Sequence, residues 1–103
     1  MKGVIRLLAM IVLIAIISAV AVPVLAESWQ TRYGPNTLQR GAKGIFVENM
    51  QMDLQLDGYE ISVTGTYDQT SVNAIKAFQA DHGLTINGVF NTTTKITLWN
   101  RIH

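Results

Sequence analysis

The sequence predicts an all-α fold: a small three-helix bundle with Gly-rich turns and a pseudo-repeated turn-helix unit, preceded by an N-terminal hydrophobic export helix. Three observations point there. Apolar residues recur three and four apart in three stretches, glycines close those stretches, and one turn phrase occurs twice. The phrase reads GTYDQTS over 65–71 and GVFNTTT over 88–94, 23 residues apart. Spacing of three and four places side chains on one stripe of a helix, and glycine is the residue that ends one.

Residues 1–26 have the layout of an export signal. Lys2 and Arg6 give a basic start, Leu7 to Val22 is an unbroken run of apolar and small residues, and Pro23 precedes Val24-Leu25-Ala26, a small-residue site suited to signal peptidase. Cleavage there leaves a chain starting at Glu27, secreted to a cell wall, a periplasm or the extracellular space. The alternative is an uncleaved anchor, because the apolar run approaches the ~20 residues that cross a bilayer. A membrane is a partner only in that case. Without cysteine there is no disulfide and no lipid on a mature Cys, so packing alone must hold the fold.

Residues 27–103 suffice for one small domain, close to the size below which a core no longer sustains itself. The whole chain has a net charge of +1, but without Lys2 and Arg6 six basic residues face seven acidic ones, a net charge of −1. No basic surface for nucleic acid follows from such a balance. A monomer is expected.

The elements follow in order. Residues 27–37, ESWQTRYGPNT, show no period, and Gly34-Pro35 argues against a helix, so they read as a linker or loosely docked arm before a domain over 38–103. Ile45 to Leu56 places Val47, Met50 and Leu54 on one stripe, with Gly58 as the stop. Gln69 to His82 aligns Val72, Ile75 and Phe78 and ends at Gly83, with Leu84 as the apolar residue that closes a glycine cap. Thr92 to Ile102 buries Leu98, Trp99 and Ile102.

The doubled phrase then acquires a physical reading. Asp68 and Asn91 fall immediately before the second and third helices, where a side-chain oxygen can accept from unpaired first-turn N–H groups. Ser71 and Thr94, three residues on, are expected to bond back toward the cap backbone. Gly65 and Gly88 supply backbone angles closed to other residues, and Tyr67 and Phe90 drop a ring into the core ahead of each helix.

These residues resemble the peptidoglycan-binding domain of the three-helix type associated with cell-wall hydrolases. The likeness spans about Leu38 to Ile102. It opens on Leu38, Arg40, Gly41 and Gly44, continues through Val47, Met50, Gln51, Leu54, Gly58 and Tyr59, then Gly65, Tyr67, Ser71, Ala74, Ile75, Phe78, Gln79, Gly83 and Leu84, and closes on Gly88, Phe90 and Thr94. Thr64 and Asn87 stand where the family usually has Asp, and both can still form a short side-chain turn. Asp68 and Asn91 replace a usual Gly. Asp57 occupies a commonly apolar position and Leu56 a commonly polar one, which lines Ile45, Met52 and Leu56 up opposite the core stripe. That line is either part of one broad buried surface or an exposed apolar strip open to a partner.

The resemblance implies non-catalytic binding of bacterial peptidoglycan, through glycan or stem peptide, with no cofactor and no metal. The residues agree. His82 and His103 are the only histidines, no zinc-binding or thiol-nucleophile pattern occurs, and Glu48, Asp53, Asp57, Glu60, Asp68 and Asp81 are expected at the surface or at caps. Binding requires hydrogen-bond partners for amides and hydroxyls. The candidates, where the repeated turns approach the first helix, are Arg40, Gln51, Tyr59, Thr66, Asn87 and Asn91. Arg40 suits a stem-peptide carboxylate. Against this, a Gln beside a Gly turn, as Gln51 and Gln79 are, more often satisfies buried backbone groups, and Tyr59 after a helix-ending Gly is more often core. The other reading is an exported interaction module that docks on a cell-wall hydrolase through the apolar strip and the aromatics Trp29 and Tyr33.

Overall fold

The computed structural model describes residues 27–103. The expected export helix over 1–26 lies outside them. The described residues form four helices and no strand: α1 (Trp29–Tyr33), α2 (Ile45–Leu56), α3 (Gln69–Asp81) and α4 (Thr92–Ile102).

Helices α2 to α4 coincide with the three expected from periodicity, and α1 corrects the reading of 27–37 as a loose arm. It is one turn long, too short to show a period. Ser28 caps it by accepting from the Thr31 amide, and the Gly34 amide returns to Gln30 O at 2.9 Å, so Gly34-Pro35 ends the helix instead of preventing it. Tyr33 is fully buried, edge-on to Phe90 at 4.9 Å and to Trp99 at 6.5 Å. Three polar groups of the bundle hold this arm in place. Asn49 Nδ2 donates to Arg32 O at 2.8 Å, and Lys95 Nζ donates to Gly34 O at 2.8 Å and Asn36 O at 2.6 Å. Arg32 grips the Asp53 carboxylate with Nε at 2.7 Å and Nη2 at 2.8 Å.

The core is Tyr33, Val47, Met50, Leu54, Ile61, Tyr67, Ile75, Phe78, Phe90 and Leu98. Burying each such side chain contributes about 1.5–3 kcal/mol. Val72, Trp99 and Ile102, expected inside, are only partly buried and pack against its rim. Both glycine caps close as expected: the Tyr59 amide reaches back to Leu54 O, and the Leu84 amide to Gln79 O, each at 2.9 Å.

The segment over 38–43, which turns at Arg40-Gly41, straps the two repeated turns together. Leu38 and Phe90 exchange both backbone bonds, at 3.2 and 2.8 Å. Further along, the Gly41 amide donates to Tyr67 O and the Tyr67 amide to Ala42 O, at 2.9 and 2.8 Å. The strap therefore fixes where both turns stand relative to α2.

Candidate functional site

Each repeated turn is built around one buried glutamine. In the first, Gln51 Oε1 accepts from the Thr64 and Gly65 amides at 2.8 and 2.9 Å, while Nε2 faces Thr64 Oγ1, Thr66 O and Ser71 Oγ at 3.0–3.3 Å. In the second, Gln79 Oε1 accepts from the Asn87 and Gly88 amides, both at 2.9 Å, while Nε2 faces Asn87 Oδ1, Val89 O and Thr94 Oγ1 at 2.9–3.1 Å. The two networks match atom for atom. Thr64 and Asn87 each close a short side-chain turn, on the Thr66 and Val89 amides.

The caps form as expected. Asp68 Oδ1 accepts from the Ser71 amide and Asn91 Oδ1 from the Thr94 amide, both at 3.0 Å. The Ser71 and Thr94 hydroxyls differ from expectation. They turn inward to the glutamines, because an amide Nε2 with several acceptors around it is better satisfied by a buried hydroxyl than by carbonyls alone.

These facts sort the six candidate residues. Gln51 is 1 % exposed with its whole amide engaged inside the protein, so it presents nothing to a ligand. Tyr59 donates its hydroxyl to Asp81 at 2.6 Å and stands edge-on to Phe78 at 5.8 Å. Burial, then the bond to Asp81, pushes the Tyr59 phenol up. Arg40 is exposed on the strap and bonds Gln69 at the start of α3, whereas Asp81 ends that helix, about 18 Å away along its axis. Tyr59 is thus separated from the rest. Arg40 lies between the two points where the strap pairs with the turns, and Thr66 and Asn91 adjoin the residues so paired, Tyr67 and Phe90. Asn87 is exposed at the tip of the second turn.

Alongside the second turn runs a cleft of about 90 Å³, lined by Leu84, Thr85, Asn91, Thr93 and Thr94. Its lining carries no charge. Sequence reasoning found Asn91 and missed the cleft, which depends on how the connection after α3 lies against α4.

The carboxylates also depart from expectation. Asp53 is fully buried and takes Arg32, the Tyr33 hydroxyl at 2.6 Å and His103 Nε2 at 3.3 Å. Burial alone would raise its carboxyl, but the bonds from Arg32 and Tyr33 outweigh that and hold it below its ordinary value. Arg32 is pushed up in turn by its bond to Asp53, and Tyr33 by burial. Asp57 accepts Arg101 Nε on both oxygens, at 2.9 and 2.8 Å, which accounts for an acid at a commonly apolar position. Among the described residues Lys95, 2 % exposed, is the other buried charge, and burial lowers its ammonium. A lone Lys or Asp within a helical stretch looks like a solvated face, so nothing in the sequence singled out either.

The strip on α2 is exposed at both ends, Ile45 at 57 % and Leu56 at 71 %, with Met52 half-buried between them.

The family described as peptidoglycan binding domain matches residues 43–98. Three solved structures are similar. The Burkholderia AP3 phage endolysin aligns at 33 % identity and TM-score 0.60 over 61 % of this chain and 24 % of its own. The SleB N-terminal domain aligns at 29 % identity and TM-score 0.66 over 69 % of this chain and 99 % of its own. A peptidoglycan-binding protein from Clostridioides difficile, in complex with glutamine hydroxamate, aligns at 25 % identity and TM-score 0.64 over 65 % of this chain and 42 % of its own. This chain thus spans about a quarter of the endolysin. No curated protein matches it.

Proposed function

We propose that this chain, which belongs to the peptidoglycan-binding domain family, binds cell-wall peptidoglycan outside the cell and does not cut it. The observation that carries the reading is the division of labour at the repeated turns. Both glutamines, both cap oxygens and the Ser71 and Thr94 hydroxyls hold the fold, which leaves the exposed Arg40 and Asn87, the half-buried Thr66 and the Nδ2 of the half-buried Asn91 beside the strap. Arg40 supplies a fork for a stem-peptide carboxylate, and the others supply neutral donors and acceptors for amides and sugar hydroxyls.

The acids support binding over cleavage. Asp53 is clamped by Arg32 and Tyr33, Asp57 by Arg101, Asp68 serves as a cap and Asp81 receives Tyr59. Glycoside cleavage needs two carboxyl groups facing one bond, one of them kept protonated. The Asp53 carboxyl is held in the opposite direction.

Sedimentation of the purified protein with peptidoglycan sacculi tests this. Saturable co-sedimentation without release of soluble wall fragments is expected. Protein that stays in the supernatant with sacculi of several bacteria defeats the reading.

The strip on α2, exposed at Ile45 and Leu56 with Met52 half-buried between them, favours a second reading, a module that docks on a cell-wall hydrolase. Retention of such a hydrolase by the protein, lost in Leu56→Glu, is the outcome that would replace the first reading with the second.

A further inference from the structure

The cleft beside the second turn has a chemistry of its own. We propose that it is a subsite for a small neutral N-acyl group: the acetamido substituent of an amino sugar, or the alanyl amide that offers the same methyl, carbonyl and N–H. The proposal rests on the wall-binding reading and deepens it.

Size limits the occupant first. About 90 Å³ is well below the ~300–1,000 Å³ of pockets that engulf a drug-sized ligand. It suits a substituent of a few heavy atoms, with the rest of the polymer outside. Charge limits it next. Leu84, Thr85, Asn91, Thr93 and Thr94 are all uncharged, so an ionised group entering there would lose hydration with no counter-charge to replace it.

The donor and acceptor pattern then selects the N-acyl group. Asn91 Oδ1 is committed to the Thr94 amide, and no acceptor among the described residues takes the Nδ2 hydrogens. That amide can donate to an acyl carbonyl. Thr85 and Thr93 are exposed, and their hydroxyl oxygens can accept the acyl N–H. Leu84, packed on the core, gives the methyl an apolar wall.

Capping alone does not explain this arrangement, because the other unit caps its helix without it. From Gly58 to Gly65 the chain takes seven steps and buries Ile61, whereas from Gly83 to Gly88 it takes five and buries nothing in between. At the cap itself, Asp68 leaves a second oxygen that can only accept, where Asn91 leaves a donor.

The test is titration of the full protein, followed by amide NMR shifts, with an N-acetylglucosamine oligomer, its de-N-acetylated counterpart and an N-acetyl-alanyl-alanine amide. Shifts that saturate at Leu84, Thr85, Asn91 and Thr93 with the acetylated sugar, and vanish without the acetyl, assign a glycan. The same shifts with the dipeptide alone assign the stem peptide. Asn91→Asp keeps the cap oxygen but removes the donor, so its melting temperature should hold while affinity for sacculi falls about tenfold or more. Asn91→Asp binding sacculi as tightly as wild type, or shifts confined to other residues, overturns the subsite and leaves wall binding standing. Failure of wild type to bind sacculi strikes the wall-binding reading instead.

Discussion

The turn entering α3 and the turn entering α4 share their working parts. Each has a buried glutamine taking two turn amides, a glycine with φ of 81° or 74°, an aromatic ring in the core and a cap oxygen. They differ in connection length and in an acid or an amide at the cap, and a cleft lies beside the second. Parts common to both units make the fold, so binding chemistry has to be sought where they diverge. The units also hold α1 differently, through Asp53 of α2 and Lys95 of α4.

The largest expected effect is at those two anchors. Asp53→Asn strips Arg32 of its partner within a nearly closed site and should cost about 3 kcal/mol or more in urea unfolding. Lys95→Met loses two bonds to carbonyls but relieves a buried charge, so about 1–2 kcal/mol is expected. A larger cost for Lys95 would reverse the ranking. Linkage gives the sign of the acid dependence. The Asp53 carboxyl lies lower in the folded state, so the unfolded chain takes up the proton first as pH drops. Its contribution is present above about pH 3.9 and is lost as pH falls from there through the lower folded-state value. Asn at 53 should flatten that limb.

Equivalence of the two glutamines is tested next. Gln51→Ala and Gln79→Ala each strand two turn amides and a hydroxyl, so each should destabilise by about 2–4 kcal/mol. One of them being neutral would break the pairing of the units. The glycines should part company. A methyl on Gly88 would stand 2.8 Å from Val72 Cγ1, whereas on Gly65 it would meet the flexible Glu48 side chain at 3.1–3.2 Å. Both positions carry the left-handed penalty, so Gly65→Ala should cost about 1–2 kcal/mol and Gly88→Ala visibly more.

Much of this is legible in the sequence. The α2 to α4 spans, both caps and the inward rings of Tyr67 and Phe90 follow from spacing and from the few residue types that can start or stop a helix. What escaped depends on tertiary placement. Five residues of α1 carry no period, and Asp53 and Lys95 look like solvated charges until the arm folds over them. Local rules assign Ser71 and Thr94 to a capping box because they cannot see a glutamine side chain turned into each turn. Of the candidate site, Arg40 and Asn87 are exposed and Thr66 and Asn91 half-buried beside the turns, while Gln51 is internal and Tyr59 belongs with Asp81. The cleft lies beside a connection two residues shorter than its counterpart, and no residue type signals it.

The smallest expected change is also the most direct test, because it separates holding the fold from binding the wall. Asp68→Ala removes one cap oxygen, and sacculus-binding isotherms of this variant and wild type would be measured beside their melting curves. A loss of about 1 kcal/mol in stability with unchanged affinity is predicted. Affinity abolished at an unchanged melting temperature would show that the first turn binds ligand through Asp68, which the account assigns to the fold alone, and would contradict it.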